Sequence, residues 1–246
     1  MIRGIPFDAP LYEIDEERGV EYRNCKAIAA MFTLKGDLSG IVPEDLKVLG
    51  NGGIWISHYG FSTVGVYNEF ISAVQVEDEL GDRGYYIPYI YVTNDSAMAA
   101  GREVAGAPKK LAKIELTKEL DLVQGILERP AGKRLVTVTM KPNIRAKELI
   151  EHILPKPTYL YSIRHLPPIR GKGGVTQLVK WYADIDFHVD PAGEKVIFAG
   201  PASISYDSPS AIDPVHKLEI DAILSAIYFE FDMKLGFADI LKELRI

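Results

Sequence analysis

Two adjacent lysines, Lys109 and Lys110, lie in an apolar part of the segment GREVAGAPKKLA at 101–112. A lysine attacks a carbonyl only as the free amine, and a reference pKa near ~10.4 leaves little free amine at neutral pH. Desolvation and a neighbouring cation both disfavour the ammonium form, and a lysine pair in apolar surroundings offers both. The segment therefore indicates a nucleophile for Schiff-base chemistry. The alternative is a solvated surface pair, which is the commoner role of paired lysines.

The local structure decides how closely the two ammonium groups approach each other. On a strand, successive side chains point to opposite faces, so the second ammonium would lie farther from the first than the sequence suggests. Burial would then do more than charge repulsion to keep the first amine free. Arg102 and Glu103, upstream in the same segment, are expected to serve the scaffold as a surface ion pair.

The other polar residues do not form a pattern typical of a metal or phosphate site. The five histidines, at 58, 152, 165, 188 and 216, lack His-x-x-x-His and cysteine-linked spacing. The segment GNGG at 50–53 has neither the GxGxxG order nor the lysine of a phosphate-binding loop, and we interpret it as a turn. We expect no metal site.

Short segments rich in β-branched and aromatic residues, separated by Gly, Pro, Asn or Asp, predict a β-rich protein. The predicted strands lie near 20–33, 53–60, 63–76, 85–92, 110–117, 133–140, 157–164, 176–189 and 194–206. The apolar run at 218–231 suits a buried strand as well as a helix.

Helical patterns are fewer and lie between or after the strands. We predict a short helical turn at 43–48 and helices at 95–104, 144–153 and 237–244. Asn94, Asp95 or Ser96 could cap the second of these, and Gly106 could end it. The pattern predicts an α+β fold with a mainly antiparallel β-sheet or barrel core and a few flanking helices, in one domain over 1–246.

Composition indicates which partners and which cellular compartment to expect. The net charge is -6 and the sequence has no stripe of Lys and Arg residues, so we expect no nucleic-acid partner. Apolar runs are far shorter than the ~20 residues of a membrane helix, and the N-terminus lacks the pattern of a secretory signal. The single cysteine, Cys25, suits a reducing compartment, so we expect a cytoplasmic protein with no membrane association.

The lysine segment resembles that of the acetoacetate decarboxylases, in which Gly-Arg-Glu leads into Pro-Lys-Lys-Leu. Further segments similar to the family follow in the same order: VPEDL at 42–46, VGVYNE at 64–69, KPTYLYSI at 156–163, AGP at 199–201 and a Pro-Val stretch near 214–220. The resemblance implies a carboxy-lyase that forms an imine with a small oxo acid, requires no cofactor and assembles as a homo-oligomer.

The resemblance also implies roles for four residues. Lys109 would form the Schiff base, and Lys110 would be the neighbour that perturbs it. Glu69, in VGVYNE, matches the family's active-site glutamate and could position substrate or carry a proton, or it could be a surface glutamate at a strand end. Arg23, in EYRN, is the candidate for the family arginine that engages a substrate carboxylate.

One departure from the family pattern leaves more than one type of reaction possible. The family decarboxylases carry a second acid about fifteen positions before the matched glutamate, where this chain has Ile54. Decarboxylation of acetoacetate or a related β-keto acid is the first hypothesis. The alternatives are a Schiff-base aldolase, dehydratase or hydratase acting on pyruvate or another oxo acid, and a ligand-binding protein of the same fold without catalysis.

Overall fold

The structure, a computed structural model, describes residues 19–170 and 173–244. Its strands are β1 (Val20–Leu34), β2 (Lys47–Ser62), β3 (Tyr67–Glu77), β4 (Arg83–Val92), β5 (Lys109–Leu111), β6 (Lys113–Glu119), β7 (Leu122–Glu128), β8 (Arg134–Met140), β9 (Ile144–Arg145), β10 (Thr158–Leu166), β11 (Val175–Phe187), β12 (Ile197–Ala199), β13 (Ala202–Tyr206), β14 (Ile220–Leu235) and β15 (Asp239–Glu243). The helices are α1 (Asp95–Val104) and α2 (Lys147–Ile153), with a 3-10 turn at Val215–Lys217.

Seven strands of the larger sheet close into a barrel. In order around the ring they are β1, β2, β3, β4, β10, β11 and β14, and the ring closes because β14 pairs with both β11 and β1. The pairing of β4 with β10 is parallel, and the other six are antiparallel. Short strands extend the ring: β5 runs parallel to β4, β15 pairs with β11, and β12 with β9 extends from β14.

A second sheet, in the order β13, β8, β7, β6, covers one outer face of the barrel. Strand alternation divides β1 between the two sides: Ala27 and Ala29 pack in the interior, whereas Ile28 and Phe32 pack towards the second sheet. Gly125 of β7 allows close contact there, because a Cβ would lie 2.3 Å from Cδ1 of Ile56. Burial on both faces explains why these strands are nearly continuous apolar runs.

The predicted α+β class with a mainly antiparallel barrel core is confirmed, and α1 has the predicted bounds. The segment 218–231, for which the sequence allowed either a strand or a helix, belongs to strand β14. Strand β7 was not predicted, and the single strand expected over 194–206 is two, β12 and β13. Within the described residues, neither helix has the length and hydropathy needed to cross a bilayer.

Three local predictions are wrong. The predicted helix at 237–244 is strand β15, which pairs with β11, so tertiary pairing overrides the local pattern. In the predicted helix at 144–153, residues 144–145 form β9 and α2 starts only at Lys147. The GNGG segment lies inside β2, at a register irregularity opposite β3, and is therefore a bulge within a strand instead of a turn. The short turn predicted at 43–48 is present and leads into β2 at Lys47.

Candidate active site

The barrel encloses a cavity to which every strand of the ring contributes a lining residue. Small residues at inward positions leave the space open, among them Ala29, Gly53, Ala73 and Ala183. The volume open to the centres of water molecules is ≈ 60 Å³, room for about four to six waters. A cavity of that size fits a ligand of few heavy atoms and is too small for a nucleotide or a long peptide.

Lys109 and Glu69 form a buried ion pair in this cavity. The Lys109 Nζ lies 2.7 Å from Oε2 of Glu69, and the side chains are 7% and 6% exposed. Among the described residues that line the cavity, these two carry the charges, and apolar side chains such as Ile71, Leu160 and Met233 surround them. The amine therefore has one proton-exchanging partner and little access to bulk water.

Three tyrosines pack beside this ion pair. The Tyr59 hydroxyl donates to Oε1 of Glu69 at 2.9 Å, and the Tyr67 hydroxyl donates to that of Tyr22 at 3.4 Å. The ring of Tyr67 lies 5.6 Å from the Lys109 Nζ. Burial, and then the negative charge of Glu69, raises the pKa of all three phenols well above its usual value. The tyrosines therefore stay protonated and act as hydrogen-bond donors.

Helix α1 positions the nucleophile through a glycine. Asn94 caps the helix, with its side chain accepting from the Ala97 amide at 3.1 Å, and Gly106 turns the chain back with a φ of 66°. Strand β5 then pairs with β4, which sets Lys109 opposite Ile90. A Cβ at Gly101 would lie 2.5 Å from Cδ of Lys109, so the helix passes the lysine closely only because residue 101 is glycine.

Lys110 lies on the opposite face of β5. Its Nζ donates to the carbonyl of Ile212 at 2.7 Å and to Oδ1 of Asp213 at 2.9 Å. Arg129 also pairs with Asp213, at 3.0 Å. This placement does not fit the role of a neighbouring cation in the cavity, because the Lys110 ammonium is directed to a carboxylate elsewhere. The alternation of a strand explains the separation.

Arg23 does not line the cavity, and the prediction of a guanidinium there needs correction. Its side chain is 51% exposed and pairs with Glu21 at 3.2 Å and with Asp232 at 3.3 Å. Between Tyr22 and Cys25, β1 has two residues, 23 and 24, opposite the single residue Asp232 of β14, and Asn24 has a φ of 52°. This bulge turns residues 23 and 24 outwards and brings Tyr22 into the cavity in place of the arginine.

The structure thus brings together two of the four predicted residues, Lys109 and Glu69, and adds Tyr22, Tyr59 and Tyr67. The Ile54 side chain is 1% exposed and packs between the barrel and the second sheet, while its neighbours Gly53 and Trp55 line the cavity. None of the three is acidic, so the second acid of the family pattern is absent here. Three or more His, Cys, Asp or Glu side chains grouped to hold a metal are not found within the described residues.

Residues 8–244 match the acetoacetate decarboxylase (ADC) family. This chain belongs to the acetoacetate decarboxylase family. The family member from Burkholderia multivorans, an acetoacetate decarboxylase, is 32% identical over 213 residues, which cover 83% of this chain and 80% of that protein. Family membership and the names of such relatives support a decarboxylase enzyme.

This chain is also similar in fold to solved structures. The crystal structure of acetoacetate decarboxylase from Legionella pneumophila has a TM-score of 0.81 at 24% identity and covers 96% of this chain and 94% of that one. The enduracididine biosynthesis enzyme MppR, complexed with pyruvate, has a TM-score of 0.74 at 15% identity and covers 92% and 91% of the two chains. At these identities the likeness is one of fold.

Proposed function

We propose that this chain is a Schiff-base carboxy-lyase that converts acetoacetate, or a related small β-keto acid, into a ketone and CO2. The observation that carries the proposal is the Lys109 amine, buried in an apolar cavity 2.7 Å from a single carboxylate, Glu69. A buried lysine beside one acid suits imine formation because the acid can take and return the protons that the addition and dehydration steps require.

The reaction begins with loss of the Lys109 proton to Glu69. The free amine adds to the ketone carbon, and the resulting carbinolamine loses its oxygen as water after Glu69 returns a proton. The product is a protonated imine that draws electrons from the adjacent carbon. When the bond to the carboxylate breaks, CO2 leaves and the electron pair forms an enamine.

Protonation of the enamine at carbon regenerates the imine, and water releases the ketone and the free lysine. The imine nitrogen acts as the electron sink, so the mechanism requires no metal or organic cofactor. The apolar lining contributes by withholding water from the carboxylate, which is then less stabilised before the bond breaks. The small cavity favours a substrate of few heavy atoms.

A second candidate keeps the imine and changes the reaction to an aldolase, dehydratase or hydratase acting on pyruvate or another oxo acid. Ile54 motivates it, because the acid of the family decarboxylases is missing at that position. MppR, whose fold this chain shares, is complexed with pyruvate. A reaction without CO2 loss would need no acid beside a departing carboxylate.

Borohydride reduction tests the nucleophile and the substrate class together. The purified chain is incubated with acetoacetate or with pyruvate and then reduced. Mass spectrometry gives the mass of the intact protein, and peptide mapping identifies the modified residue. We expect a mass increase on Lys109 with acetoacetate, together with acetone and CO2 from the unreduced reaction. Trapping with pyruvate and no turnover of acetoacetate would favour the second candidate.

The variant Lys109→Ala is expected to lose imine trapping. Because it leaves the buried Glu69 carboxylate without its cation, it should also lower the free energy of unfolding, so circular dichroism is used to check that the variant is folded. Lys110→Ala is the matched control, since it removes an equivalent side chain from the opposite face of the same strand. Retained trapping in Lys109→Ala would exclude this nucleophile. An unchanged protein mass with every oxo acid tested would indicate a ligand-binding protein without catalysis.

A further inference from the structure

Most polar side chains that line the cavity already donate their proton to a protein acceptor. They are Tyr59 to Glu69 at 2.9 Å, Tyr85 to the Ile153 carbonyl at 2.7 Å, Thr158 to the Pro155 carbonyl at 2.6 Å, and Trp181 to Ser162 at 3.1 Å. A substrate carboxylate that entered the cavity would have to break one of these bonds to use such a donor. Breaking it would leave a buried acceptor unsatisfied.

Tyr22 is different because its hydroxyl accepts a hydrogen bond inside the protein and still has a proton to give. Tyr67 donates to it at 3.4 Å, and no acceptor for the Tyr22 proton occurs among the residues that the structure describes. Trp55 also lines the cavity with an unpartnered N–H, but protein atoms enclose its Nε1. The Tyr22 hydroxyl is therefore the donor that a ligand can use without cost to an existing bond.

The location of Tyr22 fits a contact with the carboxylate. Its ring lies 4.8 Å from the Tyr59 ring and 6.4 Å from the Tyr67 ring, and Tyr67 in turn lies beside the Lys109 Nζ. In a β-keto acid the carboxylate is two bonds from the carbon that Lys109 attacks, and Glu69 repels it. The carboxylate must then use another donor, and the described lining residues include no arginine.

We propose, on the basis of the function proposed above, that the Tyr22 hydroxyl donates the hydrogen bond that orients the substrate carboxylate in this chain. Tyr22 does so from the place in β1 where the sequence predicted Arg23 to act. The β-bulge at residues 23–24 explains why Tyr22 and not Arg23 faces the cavity, because it turns Arg23 to the surface and Tyr22 inwards.

A neutral phenol has a different effect from a guanidinium on the step that loses CO2. A guanidinium would neutralise the carboxylate in the bound substrate and stabilise the charge that the reaction must disperse. A single phenol orients the group and leaves most of its charge uncompensated. The site therefore selects small β-keto acids through orientation and size, with a weaker hold on the anion than an ion pair would give.

The test compares Tyr22→Phe with wild type on a ligand that has the carboxylate and on one that lacks it. Steady-state kinetics with acetoacetate give KM and kcat, and the concentration dependence of borohydride trapping with acetone gives the affinity for the bare ketone. We expect Tyr22→Phe to raise KM for acetoacetate roughly 10- to 100-fold, the range for one hydrogen bond to a charged group, and to leave acetone trapping unchanged. Arg23→Ala, at the neighbouring surface position, is the control and should behave as wild type.

An unchanged KM for acetoacetate in Tyr22→Phe would overturn the proposal. Equal losses with acetoacetate and acetone would also overturn it, because they would assign Tyr22 a structural role. A raised KM in Arg23→Ala with a normal Tyr22→Phe would return the role to the arginine. Failure of the proposed function is distinguishable, since the wild-type chain would then release no acetone and CO2 from acetoacetate, whatever the variants do.

Discussion

Gly101 and Lys109 are in contact in a way that no other residue at position 101 would allow. A Cβ at residue 101 would lie 2.5 Å from Cδ, 2.6 Å from Cε and 3.2 Å from Nζ of the lysine. The obstructed atoms form the flexible end of a side chain, so the lysine would move and the helix would stay. The absence of a side chain at residue 101 thus matters more for where the Lys109 amine lies than for the conformation of the helix backbone.

We therefore predict that Gly101→Ala separates activity from stability. Displacement of the Lys109 amine should lower kcat with acetoacetate on the order of 10²-fold. The free energy of unfolding should stay the same or rise by up to about 1 kcal/mol, because alanine favours a helix interior over glycine. Kinetics and urea unfolding measure the two effects. Gly40→Ala is the control, since a Cβ there meets open space; unchanged kcat in Gly101→Ala would contradict the prediction.

Glu69→Gln should separate imine formation from turnover. The amide keeps the shape of the side chain and can still accept the Tyr59 hydrogen bond, but it cannot carry the proton that dehydration requires. We expect kcat to fall by roughly 10²- to 10⁴-fold, while a slow mass increase on Lys109 persists in long borohydride incubations. Glu77→Gln, at the other end of β3, is the control because Glu77 pairs with Lys47 and Arg83 at the surface. Full turnover in Glu69→Gln would exclude the proton-transfer role.

Strand alternation made part of this site predictable. It placed Lys109 and Lys110 on opposite faces, which matches the buried Lys109 and the Lys110–Asp213 pair. That separation depends on regular, local geometry, which a sequence encodes directly. Glu69 was predicted from the resemblance of VGVYNE to the family segment, and β3 places it in the cavity.

Irregular and long-range features were not predictable in the same way. The bulge in β1 shifts the inward position from Arg23 to Tyr22, and its one sequence signal is Asn24, a residue that tolerates the left-handed conformation and is uncommon in strands. The Tyr59 contact with Glu69 depends on the register of β2 against β3. The helix expected at 237–244 failed because pairing with β11 decides that segment.

Lys110→Ala tests whether the second lysine acts on the first. Asp213 keeps its bond to Arg129, so the loss of a partly exposed ion pair should lower the free energy of unfolding by only about 0.2–1 kcal/mol. Because the Lys110 ammonium faces away from the cavity, the pH profile of borohydride trapping with acetoacetate should match that of wild type. Lys113→Ala, which removes another surface-paired lysine, is the control. A profile displaced to higher pH in Lys110→Ala alone would show that repulsion between the lysines matters.

The buried tyrosines predict instability in alkali. Burial raises the pKa of Tyr85 to about 12, and burial with the Glu69 charge raises the pKa of Tyr22, Tyr59 and Tyr67. In the unfolded chain a phenol titrates near ~10, so above that pH the unfolded state releases protons that the folded state retains. The stabilising contribution is therefore complete below pH ~10 and is lost as the pH rises towards 12.

Circular dichroism and phenolate absorbance, followed together through an alkaline titration, check this expectation. The buried phenols should ionise together with the loss of β-sheet signal, because unfolding exposes them to solvent. Tyr85→Phe should make the fall in stability above pH ~10 less steep, since one fewer proton is released on unfolding. Complete ionisation of every tyrosine near pH ~10 in a chain that keeps its β-sheet signal would contradict the raised pKa values.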